Sequence, residues 1–236
     1  MSVAVLVVAA GAGLRLGAGE PKAFVRLAGR PLLRWALDQA FGVPEVGTVV
    51  VVAPPTHLDQ ARELLSPLEA QAAVVVPGGP ERSHSVALGL SVLPPGHDVV
   101  LIHDCARCLA PPAHFERVVA AVRAGAAGVV PGLLVTDTIK AVDAAGRVVA
   151  TPDRGSLRAV QTPQGFRPDV IAAAHAGGGL ATDDAALVEA MGETVVVVEG
   201  SDLAFKITGP DDLRRAEALV SAGLAARTPA GQGGRP

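Results

Sequence analysis

Val3–Val8, Thr48–Ala53, Ala72–Val76 and Asp98–Ile102 are short apolar runs rich in β-branched residues, and a segment with helical periodicity follows each of them. No other feature restricts the fold of this chain as strongly. An apolar run without in–out alternation reads as a strand covered on both faces. A strand that returns through a helix lies parallel to its predecessor, with a right-handed crossover. The helices are read at Leu32–Phe41, 56–66, 83–93 and 112–124; Pro31 sits at a first-turn position and Gly42 closes the first of them. The expected class is α/β: a Rossmann-like, mostly parallel sheet with helices on both faces. Half of the residues are apolar, yet only five Phe and one Trp add aromatic bulk. Ala, Val and Leu must therefore fill the core, which suits helices packed on such a sheet.

The rhythm changes after Val129. Gly128–Val135, Thr138–Val142, Arg147–Thr151 and Arg158–Gln161 are β-prone, with turn signals at Ala144-Ala145-Gly146 and Asp153-Arg154-Gly155, and no helix fits between the middle pieces. Residues 136–160 are read as a projecting β-arm. A two-stranded arm is marginal alone, so a second copy of the chain is expected to cover it, giving a homodimer. The doubly wound layout resumes with helices at 168–175 and 182–191, strands at 194–199 and 204–208, and a helix at 210–226. Residues 227–236 are expected to be a disordered tail.

The first strand runs directly into Ala9-Ala10-Gly11-Ala12-Gly13-Leu14-Arg15, with Pro21-Lys22 shortly after. A turn with few Cβ atoms lets backbone N–H groups approach phosphate oxygens, and Arg15 and Lys22 supply countercharge. Only three of the 20 basic residues are lysines (Lys22, Lys140 and Lys206), so one in this loop draws notice. Two better-known phosphate loops do not fit. The dinucleotide fingerprint needs a third glycine where Leu16 stands, and an acid at the end of the second strand, which here runs into Pro54-Pro55. A P-loop needs Ser or Thr after its lysine, and Ala23 follows Lys22.

Ligands of open α/β sheets bind outside the carboxyl ends of the strands. The polar residues expected there are Gly78-Gly79-Pro80-Glu81-Arg82-Ser83-His84-Ser85, His103-Asp104-Cys105-Ala106-Arg107, Thr182-Asp183-Asp184 and Phe205-Lys206. Ser83 and Thr182 also read as helix N-caps, and Arg82 and Arg107 as solvated loop residues. Asp104 directly ends a buried strand, where an unpaired carboxylate is costly; a Mg2+ ion or a nucleotide would satisfy it. Cys105-Ala106-Arg107-Cys108 lacks the partners of a zinc site and the placement of a redox motif, and is read as two semi-buried thiols. The set suits phosphoryl or nucleotidyl transfer, where positioning and charge neutralisation do most of the work.

A net charge of −3 gives no basic field for nucleic acid or anionic membrane. No apolar run approaches the roughly 20 residues that span a bilayer, and the N-terminus leads straight into a strand, so a cytoplasmic protein is expected.

Taken in order, Ala9-Ala10-Gly11-x-Gly13-x-Arg15-Leu16, Pro21-Lys22-Ala23-Phe24 and Gly78-Gly79-x-Glu81-Arg82-x-x-Ser85 resemble the nucleotidyltransferases that activate sugars and polyol phosphates. His103-Asp104-x-Ala106-Arg107, Asp137-Thr138-Ile139-Lys140, Asp153-Arg154, Gln161-Thr162-Pro163-Gln164, Thr182-Asp183 and Lys206-Ile207-Thr208 narrow this. The chain is similar, over about residues 3–220, to the 2-C-methyl-D-erythritol 4-phosphate cytidylyltransferases of the non-mevalonate isoprenoid pathway. The resemblance implies one nucleotidyltransferase domain over 1–226 and transfer of CMP from CTP to the polyol phosphate. It implies that Ala9, Ala10, Gly11, Ala12 and Gly13 cradle the triphosphate while Arg15 and Lys22 are catalytic. Gly79, Arg82 and Ser85 would line the nucleoside pocket, and Asp104 would serve nucleotide and Mg2+. Arg107, Thr138, Arg154, Thr182 and Lys206 would hold the polyol phosphate, with Thr138 and Arg154 serving the neighbouring subunit's site. Departures from the family pattern are Cys105 and Cys108 in place of alanine and proline, Asp184 in place of glutamate, and Ala204-Phe205 before Lys206. A ribitol- or other polyol-phosphate cytidylyltransferase and a non-catalytic nucleotide-binding module are the alternatives.

Overall fold

A computed structural model describes residues 1–11, 19–177 and 183–224. In chain order the strands are β1 (Val3–Val8), β2 (Arg26–Leu27), β3 (Arg30–Pro31), β4 (Val46–Ala53), β5 (Ala73–Pro77), β6 (Val99–Asp104), β7 (Gly128–Leu134), β8 (Ala141–Val142), β9 (Val148–Ala150), β10 (Arg158–Val160), β11 (Gln164–Phe166) and β12 (Val195–Glu199). The helices are α1 (Leu32–Phe41), α2 (Leu58–Glu63), α3 (Arg82–Ser91), α4 (Pro112–Arg123), α5 (Pro168–Ala176), α6 (Asp184–Ala190) and α7 (Pro210–Ser221). β1 lies at the middle of the sheet, parallel to β4 on one side and β6 on the other, and β5 extends the sheet beyond β4. Beyond β6 the sheet is mixed: β11 runs antiparallel to β6 and to β7, and β12 adds parallel to β7.

Alternation along the central strands divides the core in two. Val3, Val5 and Val7 pack with α1, α2, α4 and α7, while Ala4 and Leu6 pack with α3, α5 and α6. Both faces of β1 are closed, which is why its sequence shows no polar residue. Trp35 on α1 is fully buried and donates its indole N–H to the Leu27 carbonyl at 3.0 Å. It thereby anchors the β2–β3 hairpin that precedes α1.

β10 and β11 form an interrupted ladder along β7. Arg158–Val160 pair with Leu134–Gly132 and Gly165–Phe166 with Val129–Gly128, so four residues (161–164) cover what two cover on β7. The extra length is a bulge, and bulges recur beside active sites. It turns Thr162 and Gln164 toward the end of β6.

The arm is present. β8 and β9 form a separate two-stranded sheet, and Val142, Val148 and Val149 on it are each more than half exposed. Both expected turns form. Asp143 accepts from the Ala145 and Arg147 N–H groups around Gly146 (φ +77°), and Asp153 accepts from Gly155 N–H.

Several boundaries differ from the sequence reading. Residues 204–208 are no strand: a short 3-10 turn (Asp202–Ala204) leads into an extended strap whose Ile207 N–H donates to the Ala106 carbonyl at 2.8 Å. Its apolar residues face the core without a ladder partner, a distinction that hydrophobicity alone does not make. Helix α2 is shorter than 56–66, and a 3-10 turn (Pro55–His57) takes the place of its first residues. Pro31 occupies the N-cap of α1 rather than its first turn. Ser83 lies inside α3, whose N-cap is Glu81, and α6 is capped by Asp183. The expected tail, 227–236, lies outside the described residues.

Candidate active site

Three loops converge at the carboxyl end of the sheet. The first continues β1: Ala9 N–H still donates to the Val52 carbonyl at 2.8 Å, and the chain then leaves the sheet at Ala10-Gly11. The second follows β5. A Cβ on Gly78 would overlap the Ala10 methyl group, so glycine allows these two loops to touch. Ser85 on α3 holds the loop from behind, its hydroxyl accepting Gly79 N–H at 3.1 Å and donating to the Glu81 carbonyl at 3.1 Å. The third follows β6 at Asp104.

These loops surround a cleft of about 360 Å3 lined by Ala9, Ala10, Gly11, Gly79, Arg82 and Ser85, with Asp104, Lys22 and Lys206 also on its wall. Lys22 opens a 3-10 turn (Lys22–Phe24) after Pro21; Phe24 is buried and stacks on His57, which fixes the turn at the cleft edge. A second cleft of about 200 Å3 is lined by Arg107, Gln161, Thr162, Gln164 and Asp183. Arg82, Asp104 and Lys206 border both clefts.

That shared wall is an ion-paired triad. Asp104, 8 % exposed, accepts from Arg82 Nε at 3.0 Å on one carboxylate oxygen and from Lys206 Nζ at 2.7 Å on the other. Burial alone would push its carboxyl up, but the Arg82 and Lys206 charges outweigh this and hold it well below the usual carboxylate range. Arg82 is the reverse case: burial opposes its charge, and Asp104 and Asp184 more than restore it. The Asp104 N–H donates to Thr162 Oγ1 at 3.0 Å, so the bulge between β10 and β11 sets the direction in which β6 ends.

Arg107 is not a solvated loop residue. Its Nη1 donates to the Ala204 carbonyl at 2.7 Å and its Nη2 to the Val160 carbonyl at 3.2 Å, tying the second cleft to the strap and to β10. Cys105 and Cys108 are fully rather than half buried, and both stay unpaired. Burial pushes the Cys108 thiol up to about 12 and raises the Cys105 thiol well above its ordinary range, so neither is a thiolate at neutral pH.

Ala9, Ala10, Gly11, Lys22, Gly79, Arg82, Ser85, Asp104, Arg107 and Lys206 thus border one cleft or the other. Thr138 and Arg154 do not: they lie on the exposed arm, where Arg154 Nη1 donates to the Thr136 carbonyl at 2.5 Å. Ala12, Gly13, Arg15 and Thr182 lie outside the described residues. Sequence reasoning assigned no role to Thr162, to Gln164 or to the pair Asp184–His175. The polar run Gln161–Gln164 directly after a strand was the available signal for the first two. For His175 there was none.

The comparisons fit this geometry. The family model IspD, 2-C-methyl-D-erythritol 4-phosphate cytidylyltransferase, matches residues 3–222. The chain is 51 % identical over 219 residues to the 2-C-methyl-D-erythritol 4-phosphate cytidylyltransferase of Nocardia farcinica, covering 93 % of this chain and 94 % of that protein. It is 50 % identical over 221 residues to the bifunctional enzyme IspD/IspF of Clavibacter michiganensis, covering 92 % of this chain and 54 % of that one. Among solved structures, the crystal structure of 2-C-methyl-D-erythritol 4-phosphate cytidylyltransferase from Thermus thermophilus is 38 % identical with a TM-score of 0.75, covering 94 % of this chain and all of that one. The 4-diphosphocytidyl-2C-methyl-D-erythritol synthase of Anaerococcus prevotii superposes with a TM-score of 0.82 at 29 % identity, covering 93 % and 98 %. With the glycine loop, the Asp104 wall and the match over residues 3–222 in agreement, the chain belongs to the IspD family of 2-C-methyl-D-erythritol 4-phosphate cytidylyltransferases.

Proposed function

We propose that this chain transfers CMP from CTP to 2-C-methyl-D-erythritol 4-phosphate, giving 4-diphosphocytidyl-2-C-methyl-D-erythritol and pyrophosphate. The observation that carries the reading is the pair of clefts with a common wall of Arg82, Asp104 and Lys206. The larger cleft, with glycine amides and Lys22, suits a nucleoside triphosphate; the smaller, with Arg107 and Lys206, suits a phosphorylated polyol. An oxygen of the polyol phosphate attacks the α-phosphorus of CTP. The bond from that phosphorus to the bridging oxygen breaks, and its electron pair leaves with pyrophosphate. Negative charge grows on the oxygens around the α-phosphorus as this happens, and fixed cations at that point lower the barrier. Lys22 has this role, together with Arg15 from the glycine loop. Arg107, Lys206 and Thr182 hold the attacking phosphate, while Gly79, Arg82 and Ser85 border the nucleoside.

Among the described residues no three His, Cys, Asp or Glu side chains gather as a metal cluster. Mg2+ does not require one: a single carboxylate plus triphosphate oxygens is a donor set it takes, and Asp104 at the cleft wall would be that carboxylate, each oxygen offering a lone pair beyond the one that accepts from Arg82 or Lys206. When bound, Mg2+ supplies neutralisation of the triphosphate charge. The domain extends over 1–226. We further propose that two chains pair through the arm at 136–160, so that Thr138 and Arg154 reach the neighbouring subunit's smaller cleft. Two unpaired thiols fit a reducing compartment, and no helix among the described residues is long and apolar enough to cross a membrane; the reading assigns the enzyme to the cytoplasm.

The test is pyrophosphate release from CTP, with methylerythritol phosphate and ribitol phosphate supplied separately as acceptors. Turnover with the first is expected. Turnover with ribitol phosphate alone overturns the assignment, and CTP binding without turnover of either acceptor leaves a binding module.

A further inference from the structure

Next to Arg82 the structure holds a second carboxylate that the reaction described above does not use. Asp184, in the first turn of α6, is 1 % exposed. Its Oδ2 lies 2.8 Å from Arg82 Nη1, and its Oδ1 lies 3.1 Å from His175 Nε2 on α5. Its backbone N–H and that of Ala185 both donate to Gln164 Oε1 at 3.1 Å, and the Gln164 amide donates in turn to Asp183 Oδ2 at 2.8 Å. The carboxylate is therefore fixed by its own helix, by α5 and by the bulged strand. Arg82 is held at two nitrogens, Nε by a hydrogen bond to Asp104 and Nη1 by an ion pair with Asp184 that lacks hydrogen-bond geometry, and a planar guanidinium between two fixed carboxylates keeps its orientation. A buried charge that served packing alone would cost more than an apolar residue of its size, so its retention calls for a use.

We infer that Asp184 is a positioning residue. Backed by His175, it sets the plane of Arg82 in the wall between the clefts, so that Arg82 meets the nucleotide already oriented. Asp184 itself lines neither cleft. The inference rests on the proposed function, in which Arg82 borders the CTP cleft.

The test is a double-mutant cycle on the full-length protein, with steady-state constants for CTP and methylerythritol phosphate. Asp184→Asn keeps the shape and removes the charge; it is expected to raise KM for CTP about tenfold, the weight of one ion pair within a coupled charge network. A loss of folded protein would lower apparent kcat and leave KM unchanged, so the KM rise is the readout that a structural role does not move. In an Arg82→Gln background the same substitution is expected to move KM by less than about twofold, because the residue it orients is gone. Asp184→Glu restores the charge and is expected to bring KM within about threefold of wild type. Should Asp184→Asn not fold, His175→Gln, which loosens the carboxylate without removing it, is expected to raise KM about threefold and is read through the same cycle. An unchanged KM, or an equal rise in both backgrounds, overturns the inference while leaving the proposed function standing. Failure of the wild-type protein to release pyrophosphate overturns the function, and the inference with it.

Discussion

The wall between the clefts and the arm at 136–160 hold charge in opposite ways. In the wall, Arg82, Asp104 and Lys206 come from three separate parts of the chain, and the two ends of the Lys206–Asp104 contact are 102 positions apart. The pairs close on one buried carboxylate, Asp104, with Arg82 half-buried and Lys206 reaching it from the exposed side. The side chains of the arm make exposed contacts that stay within the arm: Arg147 with Asp143, Lys140 with Thr151, Arg154 with the Thr136 carbonyl. Exposed pairs of this kind are screened by water and add little to stability. The wall is finished within one chain, and the arm holds its shape while offering Val142, Val148 and Val149 to whatever covers them. The wall is thus self-contained, whereas in the proposed dimer the half of the site that includes Thr138 and Arg154 is completed by a partner.

The largest effect is expected from the self-contained half. Lys22→Ala removes a fixed cation beside the phosphates and is expected to lower turnover by about 10²–10³-fold, the range seen when one preorganised charge or donor is removed from a reacting oxyanion. CTP affinity should fall much less. Single-turnover kinetics beside equilibrium titration with CTP separate the two; equal losses would make Lys22 a binding residue and weaken the claim that this cleft is catalytic.

The arm should respond differently. Arg154→Ala is expected to lower turnover with methylerythritol phosphate by about 10–100-fold, the weight of one charge-assisted contact to a phosphate, with no change in unfolding midpoint. Its loss should be repaired in trans. An Arg154→Ala chain keeps an intact wall, and a Lys22→Ala chain keeps an intact arm, so mixing the two after brief denaturation should restore activity that neither variant has alone. No recovery, together with a monomeric mass by light scattering at micromolar concentration, would break the comparison: the arm would then be an appendage.

The same contrast governs what the sequence made legible. Strand–helix alternation, the glycine loop and the arm with its Gly146 and Gly155 turns were readable because each is coded within a few residues. Asp104 stood out as an acid at the end of a buried strand. Its partners did not, because which cation reaches it is decided by the fold. The strap at 204–208 shows the limit. Its apolar residues mimic a strand, yet they are buried to deliver Lys206 to Asp104 rather than to pair in the sheet. Asp184 was visible as a residue type, while its contact with Arg82 was not, since nothing near it in sequence refers to α3.

A pH titration of stability sharpens the comparison from the buried side. Burial pushes His103 down to about 3 and His114 down to about 4. Both are neutral in the folded protein while the unfolded chain binds protons from about pH 6.5 downward. Their contribution is therefore complete above that pH and is lost as pH falls from 6.5 through the folded values. The expected slope is about 1.4 kcal/mol per pH unit for each histidine between pH 6 and 4. Urea unfolding at pH 7, 6 and 5 measures it, and His103→Gln/His114→Gln should flatten the profile. The arm, which contains no histidine, should add nothing to this slope. An arm variant that altered the slope would show that the two regions titrate as one.

The smallest effect is expected at the two thiols beneath the cleft. Cys105 borders the nucleotide cleft, yet burial keeps its thiol protonated, and a protonated, enclosed sulfur is a poor nucleophile. Cys105→Ala should leave turnover within about twofold of wild type, as expected of a packing residue. Cys108→Ala removes one buried sulfur and should cost about 1 kcal/mol in urea unfolding, again with turnover retained. In the native protein both thiols should react with an aromatic disulfide reagent only as fast as the chain opens, and CTP should slow that reaction because ligand binding disfavours opening. Rapid labelling of Cys105 that CTP blocks without any change in unfolding rate would mean that the cleft floor opens on its own, and the wall would then be less finished in the single chain than its ion pairs indicate.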